Sequence, residues 1–192
     1  MHAHRKVFLL FVLISTLLTT SCAQIVGIGR DEPIQENLSK RTFGTYLDDE
    51  VIETKALVNM RKTHPDLQNS HLVAVSYHGV VLLAGQVPSS QIRQLATSTV
   101  SKIKKVRKVY NEMEVRGKTG MLIRSNDAWL TSKVKGKLAV ADDIRSGYIK
   151  VVTENSVVFL MGKISKSEAD LAASIASKVD GVQRVVRLFE II

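Results

Sequence analysis

Three histidines, His64, His71 and His78, stand at intervals of seven, and imidazole is the commonest protein ligand for transition metals. Two ligands presented by one helix need i, i+4 spacing, whereas these three span a loop and a strand with no cysteine among them. The spacing therefore predicts no metal site. Asp142 and Asp143 offer adjacent carboxylates, but they fall before a strand, where a turn or cap role is expected. No Ser, His and Asp set sits on a nucleophile-type turn, and no glycine loop is built to cradle phosphate. No catalytic group, metal or cofactor is expected. Two residues remain that could do chemistry of another kind: Cys22, the only cysteine, and Trp129, the only tryptophan.

Cys22 follows a basic start (Arg5, Lys6), an apolar run from Val7 to Leu18 and a short polar stretch ending in Ser21. That is the layout of an export signal over residues 1–21. The run is short for about 30 Å of hydrocarbon at about 1.5 Å per residue, which makes a retained transmembrane helix the weaker alternative. An unpaired cysteine at the cut site reads as a lipoprotein acylation site, with Thr19 where such signals usually carry Leu; a chance cysteine beside an ordinary cleavage site is the alternative. Residues 22–46, with Gly27, Gly29 and Pro33 among polar side chains, read as the acylated cysteine and a tether.

Loss of Arg5 and Lys6 with the signal takes the basic residues from 27 to 25, which against 18 acidic ones leaves a formal charge of +7. Such a surface favours anionic partners. Export removes nucleic acid from that set, and the chain has few aromatics for base stacking. The basic run from Lys102 to Lys108 ends a helix, where cations meet the partial negative charge of its C-terminus.

The elements that position these groups come twice. Val80-Val81-Leu82-Leu83-Ala84-Gly85-Gln86-Val87 superposes on Val157-Val158-Phe159-Leu160-Met161-Gly162-Lys163-Ile164 at an offset of 77. Upstream, Ile52, Ala56 and Met60 match Leu130, Val134 and Leu138 at 78; downstream, Val106, Val109 and Glu112 match Val182, Val185 and Leu188 at 76. The units run over 47–116 and 125–192, joined by a linker at 117–124. Each reads as a one-faced helix, a hairpin, a second helix and a third strand. Asp48 and Asp49, and in the second copy Ser125, Asn126 and Asp127, are expected to cap the first helices. The hairpin joints are expected at His78-Gly79 and at Glu154-Asn155-Ser156. The second helices are expected over 89–103 and 166–179, and the third strands over 108–115 and 184–191.

The fold class is thus α+β: two tandem α-β-β-α-β modules, each a three-stranded mixed sheet covered by two helices. Modules of about 70 residues have thin cores, so the two copies are expected to pack together. Gly85 and Gly162 each end an apolar run, where a missing side chain allows close backbone approach.

With Leu130, Val134 and Leu138 facing the sheet, Trp129, Lys133, Gly136 and Lys137 form an adjacent stripe. An indole suits the headgroup boundary of a bilayer, and lysines can lay their stems along apolar surface beside it. Each lysine near an anionic surface adds about 1 kcal/mol, so Lys133, Lys135 and Lys137 matter as a group. Burial of Trp129 between the modules is the alternative.

The pattern Leu130-x3-Val134-x3-Leu138, then Val157 to Gly162, then Ala176-x5-Val182-x2-Val185, resembles the BON domain. The first copy departs from it at Lys105, where the second has Gly181. Two such copies behind a terminal cysteine resemble the dual BON-domain outer-membrane lipoproteins of proteobacteria, the division and outer membrane stress-associated lipid-binding lipoprotein family. The resemblance implies a lipid-anchored protein of the cell outer membrane that faces the periplasm. It would bind anionic phospholipids such as phosphatidylglycerol or cardiolipin through the first helix of its second module, gather at the division septum with envelope or division proteins as partners, and support envelope integrity. Ala23 after the cysteine, in place of an aspartate, agrees with the outer membrane. The alternative function is a periplasmic adaptor or scaffold that docks onto an envelope assembly.

Overall fold

The computed structural model describes residues 40–192; the signal, Cys22 and the tether up to residue 39 lie outside the described residues. Helix α1 (Phe43–Thr63) is followed by a single turn, α2 (Pro65–Gln68), and by the hairpin β1 (His71–Tyr77) and β2 (Val80–Val87). Helix α3 (Ser90–Ser101) then crosses to a third strand that is interrupted, β3 (Lys108–Asn111) and β4 (Glu114–Val115). The second module repeats the order with α4 (Met121–Ala139), a 3₁₀ turn at Ser146–Tyr148, β5 (Ile149–Glu154), β6 (Val157–Ile164), α5 (Lys166–Ser177) and β7 (Arg184–Ile191). In each sheet the central strand pairs antiparallel with the first and parallel with the last. Two tandem α-β-β-α-β modules, each a mixed sheet covered by helices, are therefore present as expected.

The first helices start earlier than the capping argument predicts. Thr42, whose side chain accepts from Thr45 N–H, caps α1, and Gly120 precedes α4 with no side-chain cap. Asp49 and Asp127 sit inside these helices, buried, and serve another purpose. The Asp49 carboxylate accepts from the backbone N–H groups of His78 and Gly79, each at 2.9 Å, and from the Ser76 hydroxyl at 2.7 Å. Asp127 accepts in the same way from Asn155 N–H at 2.9 Å and Ser156 N–H at 2.8 Å. Each aspartate thus pins the tip of its own module's hairpin to its first helix.

Those tips are two-residue loops, His78-Gly79 and Asn155-Ser156, with positive φ at both residues, as a type I′ turn requires. The second joint is one residue shorter than expected, because Glu154 pairs with Val157 and belongs to β5. The second helices start where serine caps them. Ser89 accepts from Ile92 N–H, and Ser165 forms a reciprocal capping box with Glu168. Arg145 also bonds Glu168, and holds its carboxyl well below the usual range, at about 2.

Both faces of each sheet are buried. In the first module Leu72, Ala74, Val81 and Leu83 meet α1 and α3, while Val75, Tyr77, Val80, Leu82 and Ala84 meet Val157, Phe159, Met161 and Leu188 of the second sheet. The alternation of strand side chains assigns one set to each face. The layers therefore run helices, sheet, sheet, helices, and the expected mutual support takes the form of a sheet-to-sheet core.

Polar contacts at its edge come in equivalent pairs. Tyr77 Oη donates to Tyr148 O at 2.9 Å, while His71 Nε2 lies 3.3 Å from Glu154 Oε2; 71 and 77 correspond to 148 and 154 in the repeat. Glu190 holds Arg107 beside the first hairpin tip, and its counterpart Glu114 accepts from Asn155 in the second. The two modules meet through the same patch on each, as in a two-fold dimer. Gln86, fully buried, closes the joint: its amide donates to Glu154 at 2.7 Å, and its oxygen accepts from the backbone and hydroxyl of Thr119.

Gly85 and Gly162 sit where the backbone of the neighbouring strand comes closest. A Cβ at Gly85 would lie 2.1 Å from His71 O, and one at Gly162 would lie 2.5 Å from Tyr148 O. Only Gly85 also has positive φ, 106°, and only in its module is the third strand interrupted, at residues 112–113. Lys105 and Gly181 both take positive φ, so the first module holds a lysine in a backbone position that glycine fills more easily.

Candidate functional site

Helix α4 runs from Met121, and its core-facing residues recur at Leu130, Val134 and Leu138, all buried against the second sheet. Asp127 continues that face one turn upstream and fixes the hairpin. This locks the rotation of the helix and thereby decides what it shows to solvent. Trp129 points outward with 62% of its surface exposed. It does not lie between the modules.

Lys133 Nζ lies 5.9 Å from the centre of the Trp129 ring, within the range of a cation–π contact, and 3.4 Å from Asp180 O. Lys135 and Lys137 are exposed on the adjoining surface. Gly136 is exposed too, and a side chain placed there would meet nothing within 4 Å, so the glycine leaves a gap in the helix surface one turn beyond Lys133.

Three further residues belong to this surface that the sequence placed in the linker or left aside. Met121 and Leu122 were expected in the joint, yet they open α4, and Leu122 is 87% exposed. Val140, at the C-terminal cap, is 82% exposed. Leu122, Trp129, Gly136 and Val140 are separated by 7, 7 and 4 residues and so share one side of the helix. At 1.5 Å per residue the stripe extends about 27 Å. The signal in the sequence was Gly120 followed by three apolar residues, which reads equally as a linker or as a first turn.

Charge follows the same helix. Between Met121 and Ala139 there are four basic residues against one acidic, and the acidic one, Asp127, is buried in the hairpin contact. Its exposed side therefore carries three apolar groups at intervals along one line, Leu122, Trp129 and Val140, with Ser125, Asn126 and Ser132 between them and Lys133 beside the indole. Such a side can insert apolar groups below a layer of phosphates while ammonium groups stay among them.

The histidines are dispersed, and no group of three or more His, Cys, Asp or Glu able to hold a metal occurs among the described residues. His64 Nδ1 accepts from Asp66 N–H and caps α2, and His71 contacts Glu154. His78 packs at a tilt against the Tyr77 ring, with 5.1 Å between ring centres, and burial pushes its pKa down. The basic run after α3 is partly engaged. Lys105 pairs with Asp48 at 2.7 Å, and Arg107 reaches Glu190 of the other module. No helix among the described residues is long and apolar enough to cross a membrane.

The model of the BON domain matches residues 48–117 and again 126–192. The chain belongs to the BON family. Both matches start about five residues inside the first helix of their module, so Met121 and Leu122 extend α4 beyond the shared BON pattern. Among relatives, the outer membrane lipoprotein DolP of Haemophilus influenzae is 37% identical over 182 residues, covering 95% of this chain and 94% of its own. A 21 kDa hemolysin of Actinobacillus pleuropneumoniae is 36% identical over 77% of this chain and 76% of its own. The osmotically-inducible protein Y of Escherichia coli is 29% identical over 94% and 92%. This two-BON chain is thus a homologue, over nearly its whole length, of an outer membrane lipoprotein.

Proposed function

We propose that the chain is an outer-membrane lipoprotein, acylated at Cys22, whose α4 binds anionic phospholipids and so serves envelope integrity and the division site. The observation that carries this reading is the outward-facing Trp129, flanked by Lys133 and aligned with the exposed Leu122 and Val140. Acyl chains hold the protein at a membrane, and α4 selects the lipid patch it settles on. The two tasks are separate, since anchoring is indifferent to headgroup charge.

The full-length lipoprotein sedimenting with phosphatidylglycerol or cardiolipin vesicles cannot separate anchor from helix, so the test uses the soluble chain from residue 23 onward, which lacks both the apolar signal run and Cys22. The expected result is co-sedimentation that weakens as salt screens the lysines, and a loss of about tenfold or more for Trp129→Glu with an unchanged circular dichroism spectrum. Equal binding by Trp129→Glu sinks the lipid reading. A chain that ignores vesicles but co-purifies stoichiometrically with one envelope protein would favour the adaptor.

A further inference from the structure

Helix α1 has a second apolar face that neither its core nor the lipid reading uses. Ile52, Ala56 and Met60 are buried beneath it, yet Phe43, Leu47, Val51 and Val58 are 42–78% exposed on its opposite side. Leu47, Val51, Thr54 and Val58 are separated by 4, 3 and 4 residues, the spacing that keeps one line of a helix facing a parallel neighbour. β-Branched Val51 and Val58 alternate along that line with Leu47 and Thr54, so valine holds one seam position while leucine and threonine share the other.

In the repeat, Val51 corresponds to Trp129 and Lys55 to Lys133, so the same place on the module carries a different surface in each copy. Charge separates them further. From Phe43 to Thr63 there are four acidic residues and three basic, which gives this face no preference for an anionic bilayer. The layer order also points it away from α4, because the helices of the two modules lie on opposite outer sides of the paired sheets.

We infer that the outward face of α1 is a pairing surface for a second copy of this chain, helix against helix and parallel. In that arrangement the exposed Glu50 stands beside Lys55 of the other copy, five residues on, and two-fold symmetry makes the contact twice. The face is thus complementary to itself in charge as well as in spacing. A parallel pair also brings both Lys40 ends together, so the segments leading back to Cys22 leave from one end; this last point rests on the proposed acylation, whereas the pairing does not. Two copies joined in this way carry their α4 stripes on opposite outer sides.

Cysteine cross-linking tests the pairing in the full-length chain. Val51→Cys and Val58→Cys, made separately, are oxidised in membranes and resolved without reductant, with the parent chain and Ser132→Cys on α4 as references. The expected result is a disulfide-linked dimer at 51 and 58 several-fold above both references. Adding Leu47→Glu to Val51→Cys should abolish the dimer, and Leu47→Glu in the soluble chain from residue 23 onward should leave vesicle binding through α4 unchanged, which separates failure of the pairing from failure of the lipid reading. Light scattering of the detergent-solubilised parent chain should give the mass of two copies. No dimer at either position, an equal dimer at Ser132→Cys, or a dimer that survives Leu47→Glu would each overturn the inference.

Discussion

The two modules share a backbone plan and differ most where they face outward. Each first helix buries three aliphatic side chains and one aspartate at equivalent positions, and each aspartate fastens the tip of its own hairpin. On the far side, α1 shows aliphatic residues with balanced charge, while α4 shows a tryptophan among lysines. The internal face is fixed by a sheet that has to be covered, whereas the outer face is free to vary. A family resemblance therefore carries over the buried pattern reliably, and the exposed pattern has to be read separately in each copy.

The largest losses are expected at the glycines. Gly85→Ala must force a Cβ against His71 O and hold alanine at positive φ, so it should cost about 3 kcal/mol or more and leave the first module unfolded at moderate denaturant. Gly162→Ala meets Tyr148 O without the φ penalty and should cost less. Urea titrations of both would show it, and equal losses would mean that close approach alone sets the cost.

The aspartates come next. Asp49 accepts from Ser76, His78, Gly79 and Arg41, and Asp127 from the two tip N–H groups. Asp49→Ala should destabilise by roughly 3 kcal/mol and Asp127→Ala by roughly 2, since each leaves buried donors unmatched. The smallest effect is expected at Lys105. Lys105→Gly relieves a left-handed lysine but gives up the exposed pair with Asp48, for a net gain of up to about 1 kcal/mol, visible as a small rise in the thermal midpoint.

Much of the architecture was legible in the sequence because apolar residues recur at fixed offsets, and periods of about four and of two separate helix from strand. Val80 to Val87 is apolar on both of its sides, which anticipates a strand buried from two directions. What was not legible follows from local ambiguity. Asp49 and Asp127 stand near helix starts, where an aspartate normally caps, and only the folded hairpin brings their real partners within reach. Met121 and Leu122 looked like linker because Gly117 and Gly120 flank the joint. Trp129 could be assigned to a surface or to a module boundary until the sheets, and not the helices, proved to form that boundary.

The interface between the sheets has the form of a homodimer whose partners have been joined in one chain. Covalent joining keeps the halves at an effective concentration set by a joint of a few residues, so the contact survives at any dilution. It also ends an obligation that symmetry imposes. In a true homodimer every substitution appears twice and both outer helices must stay identical. Here a codon changed in one half leaves the other untouched, and that independence is what lets a single molecule keep tryptophan and lysines on one flank and a seam of valines on the other.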